Sequence, residues 1–549
     1  MPVPVSLNTP RPPAIVLATL NAKYIHASLG LRCLLANMDL HGGAGLRAKT
    51  VLCEFVIAQK PTQIAEELLA LDPKVIGLGI YIWNVVETTQ VVRLLRALRP
   101  DIKIVLGGPE VSFEIEQQDI CRLADHVVTG WGDVSFPKLC RALLKLPGCG
   151  PQPLMKIIVG EQPPLAELAM PYSEYTAEDL VKRLLYVEAS RGCPFKCEFC
   201  LSSLDNTAWA FALDLFMAEI EALYRRGARN FKFVDRTFNL KIDNSVRILQ
   251  FFLDRIAEQP DIFVHFEVVP DSLPNRLKAL IAQFPAGALQ FEVGIQSFHP
   301  DVQQRVSRKQ DNDKTAENLR WLVGESRAHV HADLIFGLPG ETLASFADGF
   351  DRLYELAPHE IQFGILKRLR GTPITRHTAE FAMVYDPQTP YTILQNSTVD
   401  FATLQRVKRF ARYWDLVANS GRFSSGLKLL LKPESAFHHF MSFSDWLWRT
   451  TGKTHEFALE KLVDLLHAHL TTVRAMPEAT VRTALLGDYL ASGARAKPAC
   501  LADLLAAPRN APPVLASALR AERQARHLSQ ADSILQGHRD EIQKAAAAA

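Results

Sequence analysis

The alternation of short apolar runs with amphipathic stretches constrains the fold of this 549-residue chain more than any other feature of its sequence. Five apolar runs of strand length alternate with helical periodicity between residues 14 and 145, and six more do so between residues 183 and 366. Because each helix returns the chain to start a strand in the same direction, this pattern predicts parallel sheets covered by helices. The fold class is therefore predicted to be α/β.

The same pattern divides the chain into three predicted domains. The first five units predict a flavodoxin-like (Rossmann-like), doubly wound sheet, and the six that follow predict a partial (β/α)6 TIM barrel. Beyond residue 379 the strand pattern fades while helical spacing continues, so the C-terminal domain is predicted to be mostly α-helical. The predicted boundaries are 1–13 for a disordered tail, 14–147 for the doubly wound domain, 148–182 for a linker, 183–378 for the barrel, 379–536 for the helical domain and 537–549 for a second tail.

Composition and charge exclude several classes of protein. The formal net charge of +2 lacks the basic excess of a dedicated nucleic-acid binder, so no DNA partner is expected. The longest near-apolar run, residues 75–86, falls short of the roughly 20 residues of a membrane span, and the first residues lack the apolar stretch of a secretory signal. Nine cysteines in so long a chain do not indicate a disulfide framework. A cytoplasmic protein without a membrane span is predicted.

Three of the nine cysteines crowd together directly after a predicted strand. Cys193, Cys197 and Cys200 form C-x3-C-x2-C, and thiolates on one tight loop can converge on a soft metal centre. Three protein ligands would leave one iron of a [4Fe–4S] cluster open, whereas a structural zinc site normally closes itself with four. Zinc, or three unlinked buried thiols, remain the alternatives on the residues alone.

The cysteine motif resembles that of the radical S-adenosylmethionine (SAM) superfamily. The segment ASRGCPFKCEFCL places an aromatic residue, Phe199, before the last cysteine and lies after the first barrel strand, as it does in that superfamily. The resemblance implies that the open iron chelates SAM and that the reduced cluster cleaves SAM to a 5′-deoxyadenosyl radical, which abstracts a substrate hydrogen. It covers residues 183–378.

Later segments resemble the SAM-binding strand ends of the same superfamily. FVDRTFN, HFEVVPD and FEVGIQS follow the second, third and fourth barrel strands, although the usual Gly-Gly-Glu is not present. DLIFGLPGET resembles the fifth-strand pattern, with Asp333 where a glycine is usual. Glycines at strand ends let the backbone approach a ligand closely. The residues that the resemblance places near SAM are Asp235, Thr237, Glu267, Glu292, Gln296, Ser297, Gly337 and Gly340.

The N-terminal domain resembles the cobalamin-binding domain of the B12-dependent radical SAM class. GGPEVS follows the fourth strand, and TGWGDVSF stands where many members carry Gly-Glu-Gly-Glu. In the first loop, His26 lies near the position of a lower cobalt ligand, but Tyr24 replaces the aspartate that usually accompanies it. Packing or non-ligating contact is the alternative role of His26. The residues that the resemblance places around cobalamin are Tyr24, His26, Tyr81, Asn84, Gly107, Gly108, Gly130 and Gly132.

The order of domains resembles a group of B12-binding radical SAM proteins related to the anaerobic magnesium-protoporphyrin monomethyl ester cyclases. The resemblance implies an enzyme with a [4Fe–4S] cluster, SAM and cobalamin that methylates an unactivated carbon of a small-molecule or peptide substrate. It also implies an electron donor such as flavodoxin or ferredoxin. The alternatives are oxidative cyclisation or rearrangement on the same fold, and a non-catalytic cobalamin or redox sensor. Methylthiolation of tRNA is disfavoured because the N-terminal cysteines form no second triad. The sequence identifies no catalytic side chain.

Overall fold

The computed structural model describes residues 12–147, 155–205, 207–431 and 434–505. The predicted C-terminal tail and all but two residues of the predicted N-terminal tail lie outside these ranges. The described residues divide into two compact units. The first draws on Met1–Arg236, Lys367–Thr375 and Asp386–Thr392, and the second on Thr237–Leu366, Arg376–Tyr385 and Ile393–Ala549.

The first unit contains a parallel six-stranded sheet in the order β2-β1-β3-β4-β5-β6. The order of its first five strands is the flavodoxin-like one, so the predicted doubly wound fold is confirmed. The strands are β1 (Ile15–Asn21), β2 (Thr50–Val56), β3 (Val75–Gly79), β4 (Lys103–Gly107), β5 (His126–Thr129) and β6 (Ile157–Val159).

Apolar residues on both faces of β1 explain why this strand lies inside the sheet, between β2 and β3. Val16 and Leu20 belong to one apolar cluster, whereas Ile15 and Leu17 belong to another. A strand whose side chains alternate between two cores must be covered by helices on both sides. The covering helices are α1 (Leu29–Ala36), α2 (Met38–Gly42), α3 (Pro61–Ala70), α4 (Val85–Leu98), α5 (Asp119–Leu123) and α6 (Ser135–Leu143).

Strand β6 lies inside the segment predicted as a linker. It pairs in parallel with β5, with Ile157 opposite Val127. Its three residues stand in a proline-rich context, and two of them are exposed, so neither the length nor the burial pattern of a central strand marks them in the sequence. The segment therefore extends the sheet by one edge strand.

The rest of the first unit begins the barrel region. Strands β7 (Leu185–Val187) and β10 (Asn230–Phe233) pair in parallel, while β8 (Ser190–Arg191) and β9 (Trp209–Ala210) pair antiparallel. The cysteine loop lies between β8 and β9, so both ends of the loop are held by one short ladder. Helices α7 (Ala177–Lys182) and α8 (Leu213–Arg225) complete this part.

The second unit contains a parallel sheet of the later barrel strands, in the positions that the sequence predicts. The strands are β11 (Phe263–Val268), β12 (Leu289–Gln296), β13 (His329–Phe336) and β14 (Glu360–Ile365), followed by the antiparallel pair β15 (Val384–Tyr385) and β16 (Ile393–Gln395). The helices between the sheet strands are α9 (Ile242–Glu258), α10 (Asn275–Ile281), α11 (Pro300–Arg305), α12 (Asn312–Glu325) and α13 (Leu343–Glu355).

The prediction of a mostly α-helical C-terminal region is confirmed for the described residues, although the short strands β15 and β16 precede its first helix. Its helices are α14 (Phe401–Val417), α15 (Ser424–Leu431), α16 (Ala436–Thr451), α17 (Leu459–Ala468) and α18 (Glu478–Ala491). Phe410 of α14 packs against Phe363 of β14 and Phe350 of α13. The Asn419 amide bonds both the N–H and the C=O of Ile361, at 3.1 and 2.9 Å. These bonds occupy backbone groups of an outer strand that would otherwise be unpaired.

No helix within the described ranges is both long and apolar enough to cross a membrane.

Candidate active site

A cavity of about 660 Å³ opens at the carboxyl ends of the N-terminal sheet. Its walls include residues that follow β1, β3, β4 and β5. Strand order reverses between β1 and β3, and ligands of doubly wound sheets bind at this reversal. Of the residues predicted to surround cobalamin, six line the cavity: His26, Tyr81, Gly107, Gly108, Gly130 and Gly132.

Glycines form much of the wall where the strands end. Gly108 has φ +111°, and a Cβ atom there would stand 2.4 Å from the Ile80 carbonyl oxygen, so a side chain cannot be accommodated. Gly130 has φ +66°, and a Cβ atom there would meet nothing within 4 Å. Gly108 is therefore required by its packing against Ile80, whereas at Gly130 the main chain is open to close approach by a large, flat ligand such as a corrin ring.

Aromatic side chains form another part of the wall. Tyr81 and Trp83 stack with ring centroids 4.4 Å apart, and Trp83 is 46% exposed. His26 Nδ1 lies 2.8 Å from the Tyr186 hydroxyl. This hydrogen bond fixes the orientation of the imidazole, which is the function that the missing aspartate would otherwise serve. The identity of Tyr186 as the partner could not be read from the sequence, because 160 residues separate the two.

Two of the residues predicted near cobalamin lie outside the cavity wall. Tyr24 donates to the Glu178 carboxylate at 2.8 Å, and its ring is 39% exposed. Asn84 is fully buried, accepts from the Tyr81 N–H and donates to the carbonyls of Leu20 and Gly79. Asn84 therefore shapes the loop that carries Tyr81 rather than facing the cavity.

The three predicted cluster ligands lie on one loop of the same unit. Cys193 and Cys197 are buried, Cys200 is half-buried, and no cysteine within the described ranges forms a disulfide. Burial raises the pKa of the Cys193 thiol, and the nearby sulfurs of Cys200 and Cys197 raise it further. Thiols this close favour the neutral form, and they lose their protons when a bound cation offsets the negative charge of the thiolates.

The donor set of this loop fits an iron–sulfur cluster better than a single metal ion. In the part of the chain that the structure describes, no three His, Cys, Asp or Glu side chains converge at distances suited to one ion. A [4Fe–4S] cluster instead takes each thiolate on a different iron, so its ligands need not converge on one point. Cys193, Cys197 and Cys200 are the residues that would hold it.

The residues predicted to contact SAM are divided between the two units. Asp235, in the first, accepts from the Ala189 N–H at 2.9 Å and from the Ser190 hydroxyl at 2.5 Å. Burial raises the pKa of Asp235 to about 7. Asp235 therefore braces the strand that leads into the cysteine loop, and its contact with SAM stays a prediction.

The second unit contains the other residues that were predicted to contact SAM. Glu267 and Glu292 stand opposite each other on β11 and β12, and Gln296, at the end of β12, has φ +71°. Gly337 and Gly340 also have positive φ. Thr237 stands at the first position of this unit. Contact of these residues with SAM likewise stays a prediction.

Glu341 was missed by the sequence reasoning. Its carboxylate accepts from the Ser297 hydroxyl at 2.7 Å, and the side chain is 1% exposed. Burial raises the pKa of Glu341 to about 8. The only signal in the sequence is its place at the end of the GLPGE turn, which does not reveal burial.

Three protein-family models match successive parts of the chain. That of the B12 binding domain matches residues 15–140, that of the radical SAM superfamily residues 187–353, and that of a domain of unknown function, DUF4080, residues 379–545. Each matches less than half of the chain, and together they follow the order of the predicted domains.

Curated relatives share parts of this arrangement. An uncharacterized methyltransferase of Pyrococcus horikoshii is 30% identical over 51% of this chain and 64% of its own length. The cobalamin-dependent radical SAM methyltransferase TokK of Streptomyces tokunonensis is 24% identical over 53% of this chain and 46% of its own. The 2-(S-pantetheinyl)-carbapenam-3-carboxylate methyltransferase of Streptantibioticus cattleyicolor is 25% identical, over 54% and 47%. The matches thus span from about half to just under two thirds of the length of these relatives.

Solved structures show the same fold at low identity. The cobalamin-dependent SAM radical enzyme OxsB, with aqua-cobalamin and SAM bound, matches with a TM-score of 0.58 at 14% identity, over 95% of this chain and 84% of its own. The methyltransferase TsrM of Kitasatospora setae, with cobalamin and a [4Fe–4S] cluster bound, matches with a TM-score of 0.50 at 17% identity, over 67% and 75%.

The first five strands of the doubly wound sheet lie in the segment that matches the B12 binding domain, and the three-cysteine loop lies in the segment that matches the radical SAM superfamily, the combination of the cobalamin-dependent radical SAM class. More particularly, the chain carries segments that match a B12 binding domain, a radical SAM domain and a C-terminal DUF4080 domain, in this order. The cofactors of this class are a [4Fe–4S] cluster, SAM and cobalamin, and the homologues of the chain include radical SAM methyltransferases.

Proposed function

We propose that this chain is a cobalamin-dependent radical SAM methyltransferase that acts on an unactivated carbon of a small-molecule or peptide substrate. One observation carries the proposal: the wall of the cavity includes Arg191, two residues before Cys193. A corrin site and a cluster site thus share one compact unit. We propose methylation as the reaction because the three curated relatives described above are methyltransferases.

Different residues of the chain would bind the cluster and the corrin ring. When bound, the cofactors would supply the reductive cleavage of SAM and the carrier of the methyl group. Cys193, Cys197 and Cys200 would hold the cluster and leave one iron open. The glycines at the ends of β4 and β5 would let the corrin ring approach the main chain, and Trp83 would cover its edge. A flavodoxin or ferredoxin of the cytoplasm is the proposed electron donor.

A second outcome on the same fold is oxidation or cyclisation of the substrate. The proposed relation to the magnesium-protoporphyrin cyclase group predicts an oxidised or cyclised product without an added methyl group. The two outcomes differ in the mass of the product, because methylation with SAM labelled in its methyl group adds the label, whereas cyclisation does not. The sensor alternative predicts no SAM cleavage at all.

Anaerobic purification and cluster reconstitution test the proposal. We expect about four irons per chain, bound cobalamin, and formation of 5′-deoxyadenosine and S-adenosylhomocysteine from SAM. The Cys197→Ala variant should lose iron and SAM cleavage. Cys140→Ala is the matched control, because Cys140 is a fully buried thiol packed in the N-terminal core. Full iron content in Cys197→Ala would refute the cluster assignment, and a wild type that binds no cobalamin would refute the methyltransferase.

A further inference from the structure

Arg191 joins the wall of the cavity to the cysteine loop. Its guanidinium donates to the Asp133 carboxylate at 2.9 Å and to that of Glu188 at 2.6 Å. Its Nη2 also lies 3.8 Å from the Cys33 sulfur, and its Cζ lies 4.7 Å from the centroid of the Trp131 ring. All five residues line the cavity. One side chain in the strand before Cys193 is therefore held by residues from two elements of the cobalamin domain.

The loop that carries Trp131 and Asp133, after β5, also contacts the first cysteine through a second chain of hydrogen bonds. The Trp131 indole N–H donates to the Asp205 carboxylate at 2.7 Å. The Asp205 carbonyl in turn accepts from the Cys193 N–H at 2.9 Å. Residues 131–133, which follow β5, thus contact the cysteine loop at both of its ends.

A separate set of contacts reaches the middle of the cysteine loop. The Arg370 guanidinium donates to the buried Glu110 carboxylate at 2.9 Å, and Glu110 follows the two glycines that end β4. Four residues after Arg370, the Ile374 N–H donates to the carbonyl of Glu198, which lies between Cys197 and Cys200. The strand-end loops that line the cavity are therefore connected to the cysteine loop on two sides.

We propose that Arg191 is a positioning residue that couples occupancy of the cavity by cobalamin to the geometry of the cluster-binding loop. The inference rests on the proposed function, since it takes cobalamin as the occupant. A corrin that orders residues 131–133 would fix the Asp133 carboxylate and the Trp131 ring, which hold Arg191. Arg191 in turn would fix the strand that leads into Cys193. Asp133, which is 5% exposed, is buried enough for this ion pair to be maintained with little screening by water. Because coupling between two sites is reciprocal, a loaded cluster must strengthen cobalamin binding as much as cobalamin strengthens the cluster site.

The test compares the affinity of the full-length chain for hydroxocobalamin before and after cluster reconstitution, measured by anaerobic equilibrium dialysis. We expect cluster loading to tighten binding by about five- to tenfold in the wild type, the lower part of the range for coupled sites. In Arg191→Gln the ratio should fall to about one. Arg191→Lys should restore it in part, because an ammonium group can reach one carboxylate but not hold two in a fixed fork.

Arg183→Gln is the matched control. The Arg183 side chain is more buried than that of Arg191, 9% against 16% exposed, and pairs with the carboxylates of Glu54 and Asp179, but it does not line the cavity or adjoin a cysteine. This variant should keep the wild-type ratio even if it lowers stability. Asp133→Asn gives a second variant, with the same loss of coupling expected, should Arg191→Gln fail to fold.

The outcomes separate the coupling from the function on which it rests. A wild-type ratio of one, or an unchanged ratio in Arg191→Gln or Asp133→Asn, would overturn the coupling while the methyltransferase stands. A fall of the affinity ratio to one in Arg183→Gln would also overturn the coupling, because the effect would then not be specific to Arg191. A wild type that takes up its cluster but binds no cobalamin would overturn the proposed function itself.

Discussion

Gly192, directly before the first cysteine, offers the sharpest test of how the cluster loop is built. Its φ is +88°, a conformation that L side chains rarely adopt. A Cβ atom there would stand 2.6 Å from Thr207 Oγ1, 2.7 Å from the Ala208 nitrogen and 3.1 Å from the Asp205 carbonyl oxygen. That carbonyl is the one that accepts from the Cys193 N–H. Gly192→Ala should therefore displace Cys193 itself.

The cost of Gly192→Ala has two parts. The left-handed backbone costs an alanine about 1–2 kcal/mol. The contact with two backbone atoms forces a shift, and such overpacking adds about 1–3 kcal/mol. We expect a total of about 2–5 kcal/mol in the free energy of unfolding, together with a clear loss of iron after reconstitution, because the displaced loop no longer presents Cys193 to the cluster.

Gly287→Ala separates the two parts. Gly287 has φ +84°, nearly the same as Gly192, but a Cβ atom there meets nothing within 4 Å. This control should lose only the 1–2 kcal/mol of the backbone, and it should retain its iron. Urea unfolding and iron analysis of both variants measure the difference. Equal stability and equal iron content in the two variants would refute the steric argument for the cluster loop.

Three further predictions concern the two units separately. Burial raises the pKa of Glu341 above its unfolded value, so protonation of this carboxyl stabilises the fold. The stability that it contributes is fully present below about pH 4.5 and is lost as the pH rises to about 8, at roughly 1.4 kcal/mol per pKa unit. Urea unfolding across this range should show a decline in the free energy of unfolding, and Glu341→Gln should reduce that decline. Asn419→Ala should cost about 2–4 kcal/mol in urea unfolding, since it leaves two backbone groups of buried Ile361 without their bonds, and a loss below 0.5 kcal/mol would contradict this. Trp83→Ala removes the ring stacked on Tyr81 and should weaken hydroxocobalamin binding about three- to tenfold in anaerobic dialysis, and unchanged affinity would place the corrin elsewhere.

The sequence predicts the strands well where they are long, apolar and flanked by helices. The runs that became β1 and β3 are buried at every position, so few polar residues interrupt them and their limits are clear. Strand β6 was not predicted because it is a three-residue edge strand whose side chains are largely exposed. An edge strand is specified by the backbone of its neighbour, and this leaves little trace in its own side chains.

The site shows the same division between local and distant signals. The cysteine spacing and the glycines at strand ends are local, and the sequence identifies them directly. Arg191 is also adjacent to the motif, but its partner Asp133 lies 58 residues away, so only the fold reveals the ion pair. Cys33 lies outside the cysteine motif, yet it lines the cavity and lies beside Glu188. Residues that meet through tertiary contacts carry no spacing rule that a single sequence could reveal.

The division of the chain into units has a consequence for how such a protein can evolve. The first compact unit includes Lys367–Thr375 and Asp386–Thr392 together with the whole described N-terminal region, so the chain crosses between units several times. Arg368 and Arg370 in the first of these segments pair with Glu114 and Glu110 of the cobalamin domain. Exchange of the N-terminal domain for that of another protein would separate each arginine from its acid. Each arginine and its acid should accordingly be replaced together among homologues, and a gain or loss of the cobalamin domain should be accompanied by changes more than 200 residues away.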